Sequence, residues 1–516
     1  MSDVGVSAFA KATPDKPAII DGDRVVTFEQ LDRRINQLAR ALRARGVGAG
    51  DRIGSALRNS VEWFEVAGAA SRTGVVVVPV SWRNLHDEVA YLVEDSGAKA
   101  VFAEADATEV MDGLPAIFVG DDYEALLGSH DDGPLDEVAE PSLAGFRFYT
   151  SGTTGRPKAI EREAPTGAAA AAWRAAIGAA VPEVALGPDG KRPLGRGQTE
   201  GLEASDEVHL LVGPAYHTAP GAFANRAVQQ YGQTVAIMRH FDAEECLRLI
   251  ERHRVSYTHM VPINFVRLLA LPPSTRGAYD LSSIRRVLHA AAPCPVGVKR
   301  EIMELFPPGS VYEYYGATEG LATLCPADEW LAKPGTVGRA APGVEVRVLD
   351  DDGRVLPPGE VGSVYFTPPM HFSYAGAPEK TEQAWRGDLF TAGDMGYLDA
   401  DGYLFLTDRK IDMIISGGAN VYPAEVESVL FTHPAVADVV VFGLPDKEFG
   451  ERVHAVVERR GEVSEEQIVT FCRDRIAHYK CPSSVEFVDG MPRDPNGKVR
   501  KRLLRDKYWA GTERKI

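Results

Sequence analysis

Residues 149–159 read YTSGTTGRPKA, and the chemistry they offer is anion binding. Thr150, Ser151, Thr153 and Thr154 alternate with Gly152 and Gly155 and run into Arg156 and Lys158. Glycines let backbone N–H groups turn toward an anion, hydroxyls add donors and the cations neutralise charge, so the stretch has the makings of a phosphate cradle. It is not a Walker loop, because Pro157 separates the second glycine's neighbourhood from the lysine, and Ala159 stands where Ser or Thr would bind magnesium. By composition alone it could equally be a surface turn. A second cluster, YYGATEG at 314–320, puts an aromatic ring, a glycine, a hydroxyl and a carboxylate within a few residues. Those are parts suited to a purine and a metal-bound phosphate, although a plain turn between strands would read the same way.

These groups need a scaffold, and the chain is long enough to supply one. At 516 residues it exceeds a single ordinary core, so at least two domains are expected. Its 45% hydrophobic and 25% charged residues are those of a soluble globular protein. The formal charge of −17 repels phosphate backbones and anionic membranes, which argues against nucleic-acid binding. Five scattered cysteines form no CxxC pair and no metal-ligand spacing with histidine, so a reduced, cytoplasmic protein without zinc is expected. The first residues lack a signal-peptide pattern, and the strongest apolar run, residues 75–80, is far too short to span a membrane.

Short β-branched runs alternate with amphipathic stretches over the first 400 residues, which predicts an α/β fold of layered subdomains. Leu31, Ile35, Leu38, Ala39 and Leu42 mark a helix ending at Gly46, followed by a strand at DRIGSAL. VVVVPVS, KAVFAEA, HLLVGPAY and RRVLHAAAP read as buried strands ending in Gly or Pro turns, with functional loops at their carboxyl ends. GVEVRVLDDDGRVLPPGEVGSVYF alternates on either side of an Asp-Gly turn, predicting an antiparallel, barrel-like patch. The alanine-rich 167–180 reads as a helix, and the charged, glycine-rich stretch after it as a loop. Beyond about Asp408 the texture becomes that of a small, separate α+β unit, which divides the chain into 1–408 and 409–516.

Five segments occur in the order found in the adenylate-forming superfamily: YTSGTTGRPKA, PAYHTAPG, YEYYGATEG, the long TAGDMGYLDADGYLFLTDRK stretch running on to AEVE, and PRDPNGKVRKRLLR. The chain resembles that superfamily over essentially its whole length, and within it the stand-alone acid:CoA ligases. The resemblance implies that Thr150 to Gly155 and Lys158 hold the β- and γ-phosphates. Tyr315 would then stack on adenine beside Gly316, Thr318 contact the α-phosphate, Glu319 hold Mg²⁺, and Asp394 with Arg409 bind the ribose. Lys498 would be the catalytic lysine on a mobile lid, and His217 would sit near the reacting carboxylate. Ala291 and Ala292 would lie beside the adenylate, and Gly417 and Gly418 would admit the pantetheine thiol of coenzyme A. Many relatives carry glycine at the position of Ala290, so its methyl would narrow the acyl tunnel and disfavour the longest unbranched acids. Where the family's hinge usually has Asp or Lys, this chain has Ile411, with Lys410 and Asp412 beside it.

The implied reaction is two-step acid:CoA ligation: a small-molecule carboxylic acid and MgATP give acyl-AMP and pyrophosphate, and CoA then displaces AMP. An adenylating enzyme that passes the acyl group to a carrier protein or another nucleophile is the first alternative. A P-loop NTPase and a non-catalytic nucleotide-binding protein of the same fold are others, and homodimerisation is left open.

Overall fold

The computed structural model describes residues 5–136, 145–150, 157–162, 205–368, 371–409, 412–416, 419–446, 449–493 and 499–509, with Thr150, Asp408 and Arg409 described by their backbone alone. The alanine-rich 167–180 and most of the loop predicted after it lie outside these residues, as does Ile411.

The first predicted helix spans Phe28–Ala44 and buries Leu31, Ile35, Leu38, Ala39 and Leu42 as expected. Thr27 starts it: its hydroxyl accepts from the Gln30 N–H while the Gln30 side chain accepts from the Thr27 N–H, satisfying two otherwise orphaned donors. The Arg52–Ala56 strand follows. It pairs in parallel with Val76–Pro79 and Val101–Ala103 in a four-stranded sheet, as the apolar runs predict.

The central sheet has nine strands. From one edge their order is Arg339–Ala340, Gly320–Cys325, Val311–Ala317, Arg286–His289, Tyr257–Met260, Val208–Leu211, Thr234–Ile237, Pro17–Asp21 and Arg24–Thr27. Pairing is parallel from Val311–Ala317 across to Pro17–Asp21 and antiparallel at both ends. The strands at Thr234–Ile237, Tyr257–Met260 and Arg286–His289 are buried at every position because both faces are covered. Parallel alignment brings their carboxyl ends together, so the loops after Leu211, Met260 and His289 and the turn after Ala317 open on one rim.

The alternating segment forms a six-stranded antiparallel sheet in which Val346–Leu349 pairs with Gly362–Phe366, and Asp394–Leu398 with Leu404–Arg409. Among the described residues its end strands do not pair with each other, so the barrel-like patch is an open sheet. Downstream, Val436–Asp446 and Gly450–Arg459 make a long hairpin, which Ser484–Val488 joins in parallel. That sheet has its own core, built on Ile414, Val426, Leu430, Val439, Val441, Ala455, Val457 and Ile468. All five cysteines are free thiols, and among the described residues no helix is long and apolar enough to cross a membrane.

Candidate active site

The motif at 149–159 is carried by a β-hairpin. Tyr149–Thr150 pairs antiparallel with Lys158–Arg162, with Tyr149 opposite Ala159 and Thr150 opposite Lys158. Residues 151–156, including Ser151, Gly152, Thr153, Thr154 and Gly155, lie outside the described residues. A Walker loop must open a helix after its lysine, whereas Lys158 here begins a strand, which removes the P-loop alternative. The hairpin is tied to the His86–Ser96 helix: Tyr91 Oη donates to the Pro157 carbonyl at 2.8 Å, and Tyr149 Oη to Asp95 Oδ2 at 2.7 Å.

The strand Phe372–Tyr374 adds to the same hairpin, with Tyr374 opposite Ile160 and Phe372 opposite Arg162. This pairing delivers a phenol to the second motif. Val311–Ala317 and Gly320–Cys325 form a hairpin in which Ala317 faces Gly320, so Thr318 and Glu319 are its two-residue tip. Gly316 is required there, since a Cβ would stand 2.4 Å from the Gly320 carbonyl oxygen. Glu319 is buried, and its Oε1 accepts from Tyr374 Oη at 2.8 Å. Arg162 Nη2 donates to the Thr318 carbonyl, and its Nε is buried without a hydrogen-bond partner among the described residues.

Charge is concentrated around that tip. Burial pulls the Arg162 guanidinium pKa down, against the pull of Glu319. Burial likewise lowers the Lys380 ammonium, which feels Glu319 and Lys158 and lies 4.0 Å over the Tyr374 ring. Desolvated cations around one carboxylate suit a polyanion with its metal, because Mg²⁺ is held by one or two carboxylates plus phosphate oxygens. Among the described residues no three His, Cys, Asp or Glu side chains gather to hold an ion. Arg162, Tyr374 and Lys380 carried no signal in the sequence: Tyr374 is more than 200 residues from the loop its strand joins.

Tyr315, the expected adenine ring, is buried against Phe366 and donates from Oη to Asp394 Oδ2 at 2.7 Å. Asp394 stands directly opposite Arg409 across an antiparallel pair, so the two expected ribose ligands are cross-strand neighbours. Three segments of the chain therefore meet at one place: the 314–320 hairpin, the Asp394–Leu398 hairpin and the strands flanking the 149–159 motif.

His217 precedes the Thr218–Tyr231 helix, with its ring 4.4 Å from that of Tyr216. Burial lowers its pKa to about 3, so the imidazole is neutral and can act through hydrogen bonding but not through charge. Asn59 fixes the loop ahead of it, accepting from the Ala215 N–H and donating to the carbonyls of Gly213 and Met238 at 2.8–3.0 Å. Gly221 lets the helix close on that loop, because a Cβ would fall 2.1 Å from the Ala215 carbonyl oxygen.

After Arg286–His289 comes the alanine run. Ala290 is buried, but it is Ala291 that adopts φ 76°, the left-handed region that favours glycine, and Ala292 follows half-buried. The glycine-like conformation thus falls one residue beyond the position singled out in the sequence. Lys498, Gly417 and Gly418 lie outside the described residues. Arg493 and Val499 pair on either side of Lys498, as Ser416 and Ala419 do around the two glycines.

Comparison with known proteins identifies the family. The AMP-binding enzyme family matches residues 6–373, and the AMP-binding enzyme C-terminal domain matches 425–498. The chain is 33% identical over 529 residues to the fatty acid–[acyl-carrier-protein] ligase ScoC of Streptomyces coeruleorubidus, covering 99% of this chain and 97% of that one. It is 34% identical to the long-chain-fatty-acid–CoA ligase FadD13 of Mycobacterium tuberculosis, covering 94% and 93%. Among solved structures, the O-succinylbenzoate CoA synthetase MenE of Bacillus subtilis in complex with ATP and magnesium ion superposes with a TM-score of 0.79, at 28% identity over 98% of both chains. Matched from end to end and carrying the five motifs in order, the chain belongs to the AMP-binding enzyme family of adenylate-forming enzymes.

Proposed function

We propose that the protein is an ATP-dependent, AMP-forming acid:CoA ligase of the cytoplasm. The observation that carries this reading is the meeting of Tyr315, Asp394 and Glu319 with Arg162, Lys380 and Lys158 in a chain similar to acid:CoA ligases over its whole length. A carboxylate oxygen attacks the α-phosphorus of ATP, the bond to the β-phosphate oxygen breaks, and pyrophosphate leaves. The thiol sulfur of CoA then attacks the acyl carbonyl, AMP departs and the thiol proton is lost.

The parts proposed for the motif residues are those the family resemblance implies, to which the structure adds Tyr374 and Lys380. Tyr315 and the Asp394–Arg409 pair orient the nucleoside. Residues 150–155, Lys158 and Lys380 hold the outgoing phosphates. Glu319, steadied by Tyr374, holds Mg²⁺, which when bound neutralises phosphate charge. His217 sits at the acid, and Lys498 bridges the acid carboxylate and the α-phosphate, where negative charge gathers as the bond forms. Residues 409–516 act as a lid that brings Lys498 in for the first step and Gly417 and Gly418 in for the second. Proximity and charge stabilisation do the work, with no covalent enzyme intermediate.

The test is Lys498→Ala. Loss of one transition-state donor costs about 10²- to 10³-fold, so pyrophosphate release with a competent acid should fall by that much while thioester formation from supplied acyl-AMP persists; undiminished release would overturn the assignment. A second acceptor is favoured by one specific observation, the similarity to an acyl-carrier-protein ligase. Acyl transfer to a phosphopantetheinyl carrier protein in preference to CoA would establish that reading instead.

A further inference from the structure

A buried ion pair underlies the nucleotide side of the candidate active site. Glu313 lies two residues before Tyr315 on the Val311–Ala317 strand, so the two side chains share one face, and both are buried. The Glu313 carboxylate accepts from Lys299 Nζ at 2.5 Å. Lys299 is 0% exposed on the Val296–Leu305 helix, and its ammonium lies 4.7 Å from the centre of the Trp330 ring. His289 stands directly opposite Glu313 across the parallel pair, with Nε2 3.7 Å from the same carboxylate oxygen. Burial and the neighbouring ammonium keep the His289 ring neutral, so it adds no charge to the pair.

These three residues bracket one loop. His289 ends the strand that leads into Ala290, Ala291 and Ala292, Lys299 sits on the helix that follows them, and Glu313 ties both to the strand carrying Tyr315. Within the loop Ala291 holds φ 76°, a conformation that persists only where the surroundings over-determine it. A buried ion pair is a poor source of stability, because desolvating both charges offsets their attraction and apolar side chains of similar volume often pack as well or better. What a charge-assisted hydrogen bond supplies instead is a defined distance and direction, here between a helix and a strand.

We propose that Lys299 and Glu313 are positioning residues for the nucleotide: their ion pair sets the alanine loop and the Tyr315 ring at the spacing that receives it. This deepens the ligase reading above and rests on it, since that reading puts the nucleoside on Tyr315 and the adenylate beside Ala291 and Ala292. Neither side chain touches the reacting atoms in this account. Their effect should therefore appear in nucleotide affinity and leave the acid's binding alone.

The experiment separates positioning from stability by removing one charge and then both in the full chain. Lys299→Met alone leaves a buried carboxylate uncompensated and should lower the urea midpoint, whereas Lys299→Met combined with Glu313→Leu should bring the midpoint back toward the native value. In pyrophosphate release the double variant should still show a KM for MgATP raised roughly ten- to hundredfold, the scale of a misplaced binding group, with the KM for the acid near native. Glu313→Gln, which keeps an acceptor for the ammonium, should lie between. A native KM for MgATP in the folded double variant, or in Glu313→Gln should the double variant not fold, would overturn the proposal, as would an equal rise in both KM values. Calorimetric binding of AMP without acid reads the nucleotide alone and should weaken to the same extent. If the native protein bound AMP but released pyrophosphate with no acid, and the double variant lost that binding, the ligase reading would fail and the positioning role would stand; unchanged AMP affinity would overturn the role whatever the turnover.

Discussion

Replacing Tyr374 by phenylalanine removes one oxygen and one hydrogen bond from the candidate active site. The phenol donates at 2.8 Å to Glu319, and the two residues are 8% and 6% exposed. Burial and the adjacent carboxylate raise the phenol's pKa well above its ordinary value, so it remains a donor at any working pH. The ring itself stays useful in the variant: it keeps its edge contact with Phe372, centroids 5.6 Å apart, and its place 4.0 Å beneath the Lys380 ammonium. What is lost is a hydrogen bond to a charged acceptor, worth about 1.5–3 kcal/mol. If Glu319 holds Mg²⁺ on ATP, that loss should appear as a roughly ten- to hundredfold fall in kcat/KM for MgATP and a higher Mg²⁺ requirement. The assay is pyrophosphate release at saturating acid, titrated with Mg²⁺ at fixed ATP, with melting curves run alongside. A folded variant with native kcat/KM and an unmoved Mg²⁺ midpoint would refute the role of this contact. Lower stability with normal Mg²⁺ dependence would assign the bond to packing.

Two further outcomes follow from backbone conformation and burial. Ala291 in the left-handed region carries about 1–2 kcal/mol of strain, partly offset against glycine's greater unfolded-state entropy, so Ala291→Gly should raise the unfolding free energy by up to about 1 kcal/mol, read as a higher urea midpoint at unchanged m; a lower midpoint would show the strain is absent. His209, His217 and His259 have folded pKa values of about 3, 3 and 4, below the ordinary value of about 6.5, so the unfolded chain binds more protons as pH falls. Stability is then fully present above about pH 6.5 and should decline on acidification by about 1.4 kcal/mol per pH unit for each histidine through the pH 5 region. Urea midpoints at pH 7, 6 and 5 check this: His259→Phe should flatten the slope by one histidine's share, and a native protein equally stable across that range would contradict the neutral assignments.

Local pattern was enough for much of the fold. The period of Leu31, Ile35, Leu38 and Leu42 and the Thr27–Gln30 capping box specify the first helix, because both act within a few residues. The apolar runs at Val76–Pro79, Val208–Leu211 and Arg286–His289 specify buried parallel strands, because a strand covered on both faces has no use for alternation. The 314–320 motif was legible for the same reason: its ring, glycine, hydroxyl and carboxylate are neighbours in the chain. Its form was not, since the two-residue tip at Thr318 and Glu319 is set by the pairing of Ala317 with Gly320, and a turn and a ligand loop share one composition.

The sequence by itself thus determined the order of the elements, the five motifs and the class of chemistry they support, all of which reside in residue type and short-range spacing. Only the tertiary structure decided what surrounds them. That Tyr374 reaches Glu319, that Tyr315 holds Asp394, that Arg162 stands behind Thr318 and that Ala291 rather than Ala290 takes the glycine-like conformation all depend on strand register and loop closure. Register is fixed by packing across the whole molecule, where residues scores of positions apart become neighbours, and no local pattern carries that information.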